Sequence, residues 1–316
     1  MKIENFNLVS DKDIYNKIPH KEINSIVQHF INNKKINIFN EKITFKLKNS
    51  NIGLINSIRH ACYKIDEVYY LDADFNDIKL ISEDNIYIQN KYILNRLKSI
   101  PIKQDDKLKQ FVDKNIGSLV FETNRTEQYS DITTEHFKFN SKDINIITNY
   151  FRLYQLIYSK SKLTINNIHL RIGYNHNDCT FSTIHTFSIN TPDTDESSSS
   201  AEFHDFDVMI CTNGTINFFI FINNIIDKII NRFNKQFITI KDDNDKLLSI
   251  LFENENYIFE NLLLEYSYLN NFSPIITIKD NNLYIKNLSE KNLLIVIKNI
   301  INDLNEFKTL INKFNK

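Results

Sequence analysis

The chain has 316 residues, a net charge of −1 and a hydrophobic content of 42%. That is apolar mass for two or three packed domains, which excludes wholesale disorder. Both charge signs are spread along the sequence, which argues against a dedicated nucleic-acid surface, and three scattered cysteines give no disulfide framework and fit a reducing compartment. The sequence shows no apolar signal core at its start and no apolar run of membrane-spanning length.

Residues 1–40 read as an N-terminal extension: a polar lead-in, then a helix over His20 to Asn33 with Ile23, Ile26, Val27 and Phe30 on one face. Ile43 to Leu47 alternates as a strand and runs directly into a helical pattern. There Ile52, Ile55, Ile58, Cys62 and Ile65 fall three or four apart, capped by Ser50 or Asn51. The small residues Ser57 and Ala61 on that helix leave room for a second helix to approach. A strand-like run, Glu67 to Leu71, follows, and then a short helix marked by Tyr92, Ile93, Arg96, Leu97 and Ile100, stopped by Pro101.

Residues 103–203 differ in character, with strand-like runs at Ser118 to Glu122, Ile165 to Ile172 and Phe181 to Ile189. Residues 144–159 fit one helix or two strands equally well. The polar, acidic tract 192–200 reads as a mobile connection. Phe206 to Thr212 is a strand turned by Asn213-Gly214. Thr215 to Phe233 then forms a helix with Ile216, Phe219, Ile222, Ile226, Ile229 and Phe233 on one face. Phe218, Phe221 and Ile225 widen that face, so the helix is expected to be buried on more than one side.

After a charged break at 241–246 the scheme begins again: a strand from Leu247 to Phe252, a helix, and strands Ile275 to Lys279 and Leu283 to Ile285 around a turn. The last helix carries Leu293, Ile297, Ile300, Leu304, Phe307, Ile311 and Phe314 in four-three alternation. The chain therefore reads as two diverged copies of one unit, each a sheet with a long apolar helix.

Asn56-Ser57-Ile58-Arg59 resembles the Asn-Ala-Leu-Arg of RNA polymerase assembly subunits, the family of bacterial α, archaeal D and their eukaryotic counterpart. Ile65-Asp66-Glu67-Val68 is similar to the Ile-Asp-x-Val that follows it. Asn95 to Ile102 is similar to the family's His-Arg-Leu-Gly-Leu-Ile-Pro-Leu, in the same order and spacing. His60 stands for the family's second arginine and Lys98 for a glycine. Residues 173–182 share the first glycine, Phe181 and Ser182 with the family's glycine-rich loop. Glu255 to Leu263 resembles the Glu-Asp-His-Thr-Leu-Gly-Asn-Leu-Leu of the small partner subunit, archaeal L and its relatives, with Glu260 in place of glycine.

The resemblance implies an α+β fold of two tandem dimerisation units. These are a discontinuous D-like unit at 41–102 and 204–240, a β-rich insertion at 103–203 and an L-like unit at 246–316. It implies a non-catalytic assembly platform of a multisubunit DNA-directed RNA polymerase, whose partners are the large catalytic subunits and smaller polymerase subunits. Sequence-specific nucleic-acid binding and membrane association are not implied. Asn56, Arg59, His60 and Arg96 are the expected subunit contacts, by match to motif positions. By position alone, the two arginines would read as solvated helix residues. Ile222, Ile226, Ile229 and Phe233 would pack against Ile297, Ile300, Leu304 and Phe307. Richness in Asn, Ile and Lys, with only 4 Gly and 4 Pro, suggests AT-rich coding; this and the fusion of the two halves resemble large nucleocytoplasmic DNA viruses, which implies host cytoplasm and virion, or otherwise nucleus or cytoplasm.

Two rivals stay open: an α-like homodimer using only the first unit, and a metal-dependent hydrolase built on the insertion. His169, His176, Cys179 and His185 are of ligating type, but their spacing matches no closed zinc pattern, and the cysteine cluster of some relatives is missing. Asp72/Asp74 and Asp242/Asp243 lie in polar turns without a third ligand nearby. Four dispersed glycines make no phosphate cradle, and no nucleophile has a motif around it. No cofactor and no catalytic residue are expected.

Overall fold

The structure, a computed structural model, describes residues 1–10, 40–82, 90–122, 129–140, 151–157, 161–174, 182–190, 203–234, 238–242, 247–251, 256–279 and 282–315. The chain is α+β, with antiparallel sheets and five helices among these residues.

The first half opens with β1 (Lys2–Ser10), β2 (Glu41–Ser50) and α1 (Ile52–Lys64). It then departs through β3 (Glu67–Asp72), β4 (Ile78–Ser82), α2 (Asn90–Lys98), β5 (Asn115–Glu122), β6 (Tyr129–Thr133), β7 (Phe137–Phe139), β8 (Arg152–Ile157) and β9 (Ser161–Tyr174). It returns as β10 (Ile184–Asn190), β11 (His204–Thr212) and α3 (Phe218–Asn234). The second half is β12 (Ile238–Asp242), β13 (Leu247–Leu251), α4 (Asn256–Leu269), β14 (Ile275–Lys279), β15 (Asn282–Lys286) and α5 (Glu290–Asn312).

The first-half sheet runs β1-β2-β11-β10 and the second β12-β13-β15-β14. With the excursion removed, both halves read strand, strand, helix, strand, strand, helix. Corresponding strands occupy the same place in the two sheets. Corresponding helices also meet, α1 against α4 and α3 against α5. Like meeting like is what a two-fold relation between halves requires. One continuous core gathers Ile43, Phe45 and Leu47 of β2, Phe206, Val208 and Ile210 of β11, Leu248 and Ile250 of β13, Leu283 and Ile285 of β15, and residues of α1, α3, α4 and α5. A second core, under the sheet β3-β9-β5-β7 with β4 also on β9, belongs to the excursion.

Three expectations are corrected. The N-terminal extension is not a lead-in: β1 is the edge strand of the first sheet. A bulge puts Asn5 at φ 54° and shifts the register between Glu4 and Asn7. Ile3 and Leu8 therefore both reach the inner face, paired with Leu47 and Ile43, although strict alternation would put them on opposite faces. Phe6 of β1 then stacks on Phe314 (4.5 Å) and Phe219 (5.9 Å), tying the strand to both halves. The expected helix 20–33 and the tract 192–200 lie outside the described residues.

The cores part at Ile65–Glu67, not at residue 102. The fourteen-residue β9 pairs with β3 through its second half and with β4 through its first, which draws 67–82 into its sheet. Ile93, Leu97, Ile100 and Ile102 fill the same core. The excursion ends before β10, which pairs with β11 in the first sheet, so 103–203 is both too late a start and too late an end. Finally, the second sheet begins with β12, at Ile238 within the span read as D-like, because β12 pairs with β13.

Candidate functional site

The α1–α4 seam begins with a cap. Asn51 Oδ1 accepts from the backbone N–H of Gly53 (2.7 Å) and Leu54 (3.3 Å), satisfying two donors that the first turn leaves open. Ser57 Oγ donates across the seam to the carbonyl of Ile258 (3.3 Å), so the small residue serves both close approach and a hydrogen bond. At Gly53 the helices leave no space: a Cβ would stand 2.6 Å from Glu265 Cγ and 2.8 Å from Asn51 Oδ1. Burial pushes the Glu265 carboxyl upward, opposed by the Asn51 amide beside it. Even so, Asn51 Nδ2 and Glu265 Oε2 both lack a hydrogen bond of good geometry.

With Leu54, Ile55, Ile58, Ala61 and Cys62 turned inward, α1 leaves one half-exposed stripe: Ile52, Asn56, Arg59, His60 and Tyr63. These positions are spaced three or four apart, so they share a helix face. Arg59 forms no ion pair or hydrogen bond with any described residue. The His60 ring stands edge-on to Tyr257 of α4, at 5.5 Å and 87°. Burial first, then the charges of Arg59 and Lys64, hold the imidazole below its ordinary value, so His60 is a neutral hydrogen-bonding group at neutral pH. The stripe therefore presents one uncompensated guanidinium flanked by a neutral imidazole and the Asn56 amide. It is suited to carboxylates or backbone carbonyls of another chain.

Arg96 is placed differently. Its Nη2 donates to the Arg152 carbonyl (2.6 Å), and its guanidinium carbon lies 4.6 Å from the centre of the Phe151 ring. These contacts tie α2 to the start of β8, inside the excursion, on another core from Arg59. Of the two arginines expected as subunit contacts, Arg96 thus already has one hydrogen bond and one ring contact within the fold, whereas Arg59 has no hydrogen bond or ion pair among the described residues. The partner residues fall in 144–159, where periodicity had not distinguished helix from strand.

α3 packs on α5, and Ile222, Ile226, Ile229 and Phe233 lie in the same core as Ile297, Ile300, Leu304 and Phe307. Sequence reasoning missed the polar cross-links that fix their register. Asn223 and Asn312 exchange amide hydrogen bonds (2.9 and 3.2 Å), and Lys308 pairs with Asp227 (2.5 Å). Tyr266 of α4 donates to Asp303 of α5 (2.6 Å). Burial and the Asp303 charge raise the Tyr266 hydroxyl, so it stays a donor, while burial raises the Asp303 carboxyl.

Among the described residues no three metal-capable side chains cluster. His169 lies on β9 and His185 on β10, in different sheets, while His176 and Cys179 lie outside the described residues. Asp72 is not in a free turn; it ends β3 and pairs with Lys98 (3.4 Å). No family model and no curated protein matches this chain. No helix among the described residues is long and apolar enough to cross a membrane.

Proposed function

We propose that this chain is a non-catalytic assembly subunit of a multisubunit DNA-directed RNA polymerase, with a D-like and an L-like half fused. The observation that carries the reading is the pairing of two halves with the same strand order, like helix to like helix, with Asn56 and Arg59 on the seam helix. A subunit that nucleates assembly needs a rigid platform, and a single core spanning both halves supplies one. Template, nucleotides and catalytic metal would then belong to the large subunits that dock on it. Arg59, His60 and Asn56 form the docking stripe. The site of action is the host cytoplasm and virion if the source is a virus, and the nucleus or cytoplasm otherwise.

The internal pairing speaks against the α-like homodimer, because α3 and α5 already cover the faces that a second copy would use. The test is capture: the tagged chain, co-expressed with the two largest polymerase subunits of its source, retains both. Arg59→Ala weakens retention by about tenfold or more, the scale of an interface arginine. Unchanged retention by that variant removes the stripe from the interface, and nucleotide incorporation by the isolated chain would sink the scaffold reading.

A further inference from the structure

The two sheets that carry the platform end in four edge strands, β1 and β10 in the first and β12 and β14 in the second. An edge presents unpaired N–H and C=O groups, and sheets commonly blunt it with a bulge. Three of these four edges are blunted in that way. β1 advances three residues, Glu4 to Asn7, while β2 advances two. β10 advances two, Ile184 to Thr186, while β11 advances one, and β12 advances two, Ile240 to Asp242, while β13 advances one. Of the four, β14 alone is straight: Ile275 to Lys279 pair residue for residue with Lys286 to Asn282 of β15.

β14 is also open to solvent along its length. Ile275 is 54% exposed and Ile278 43%, Thr277 and Lys279 are exposed, and Ile276 is half-buried. Cross-strand neighbours share a face, so Ile276 and Ile278, opposite the buried Ile285 and Leu283, lie on the core side. Ile276 packs against that core, whereas Ile278 stands in water, with no strand beyond it among the described residues. Ile275, Thr277 and Lys279 share the other face with Lys286, Tyr284 and Asn282. Neither Lys279 nor Lys286 forms an ion pair with a described residue. A second copy of the chain would leave this charge unmet. Antiparallel pairing of β14 with itself about Thr277 sets Lys279 against Ile275 on both sides.

We propose that the edge of β14 docks an extended segment of a partner protein, which adds a fifth strand to the second sheet, covers Ile278 with an aliphatic side chain and brings an aspartate or glutamate to Lys279. The main chain of the segment supplies affinity, and Ile278 and Lys279, on opposite faces, read its alternate side chains. These residues are separate from the α1 stripe, and the proposal stands whichever complex the chain joins.

The probe is a synthetic library of fluorescein-labelled nonapeptides alternating aliphatic with glutamate and threonine residues in all registers, read by fluorescence anisotropy on the full chain. A matched library carries lysine for glutamate. Glutamate members are expected to bind saturably, and lysine members at least about tenfold more weakly. Ile278→Lys should lower affinity by about tenfold or more, because a lysine on an edge strand opposes pairing. Lys279→Glu should invert the preference, so that lysine members bind better. Both residues are exposed, so melting and circular dichroism should be unchanged in either variant. Saturation with a glutamate member should slow hydrogen exchange over residues 275–279. No binder in the glutamate library, a preference that Lys279→Glu leaves unchanged, or exchange over 275–279 that peptide does not slow would each overturn the proposal. So would a dimer of the free chain that Ile278→Lys converts to monomer, which would assign the edge to a second copy.

Discussion

Leu304 sits fully buried midway along α5, in the core that joins the two halves, and so provides a sharp probe of the seam. Truncating it to alanine removes apolar contact and leaves a cavity between helices that are cross-linked on either side and cannot collapse freely. The expected loss is about 2–5 kcal/mol. A domain of this kind carries roughly 5–15 kcal/mol in total, so the variant remains folded but visibly weakened. Leu304→Asp adds an unpaired buried carboxylate, worth several kcal/mol more, and should abolish the folded state. The assay is urea unfolding followed by circular dichroism, with Leu294→Ala as control, because Leu294 is 50% exposed on the same helix. The control should stay within about 0.5 kcal/mol of wild type. Because both halves share one core, Leu304→Ala should shift a single cooperative transition. A loss under about 0.5 kcal/mol for Leu304→Ala, or a transition that splits so that only the second half melts early, would refute the shared seam.

Gly53→Ala should destabilise the chain by about 1–3 kcal/mol through overpacking, despite the roughly 1 kcal/mol that alanine gains over glycine in a helix. Combining it with Glu265→Ala should recover part of that loss in thermal melts; strict additivity would show that the two do not collide. Asn223→Ala and Asn312→Ala should each cost about 1–2 kcal/mol by stranding the other amide. The double variant should cost less than both together in denaturant titrations, and a purely additive pair would refute the reciprocal hydrogen bonds. Arg96→Ala should weaken the excursion by about 1–2 kcal/mol, from a lost cation–π contact and hydrogen bond, while leaving partner capture unchanged. Impaired capture at full stability would return Arg96 to the interface. Burial raises the Glu265 carboxyl in the folded chain, so the folded state holds this proton more tightly than the unfolded one. Stability therefore falls as pH rises through the window between the ordinary carboxylate range and the raised value. Glu265→Gln should melt higher than wild type near neutral pH, with the difference vanishing below about pH 4. A difference that persists in acid would assign the effect to shape rather than charge.

Much of the architecture was legible because apolar spacing is a direct record of burial. Apart from Ile52, half-exposed at the start of α1, and Phe314, exposed beyond the end of α5, the stripes on α1, α3 and α5 predicted residues that are in or against the core, down to Ile300 and Leu304. β1 was missed because the bulge at Asn5 breaks the alternation that identifies a strand. The domain boundary was misplaced for a different reason. Whether 67–82 belongs to one sheet or another is decided by what β9 pairs with nearly a hundred residues later, and no local pattern carries that. The polar cross-links were illegible in the same way, since Asn223 and Asn312 look like surface residues until the helices that bear them are set side by side. At the candidate site the motif pointed to Arg59 and Arg96 alike. Only the position of Phe151 and Arg152 separates a guanidinium spent within the fold from one left available.

If one chain supplies both halves of an assembly platform, as proposed, subunit stoichiometry shows it most directly. Native mass spectrometry of the complex purified through a tag on this chain should find a single copy together with both of the largest polymerase subunits. Two copies per complex would contradict the intrachain pairing in favour of a homodimer, and a complex without polymerase subunits would contradict the assembly role.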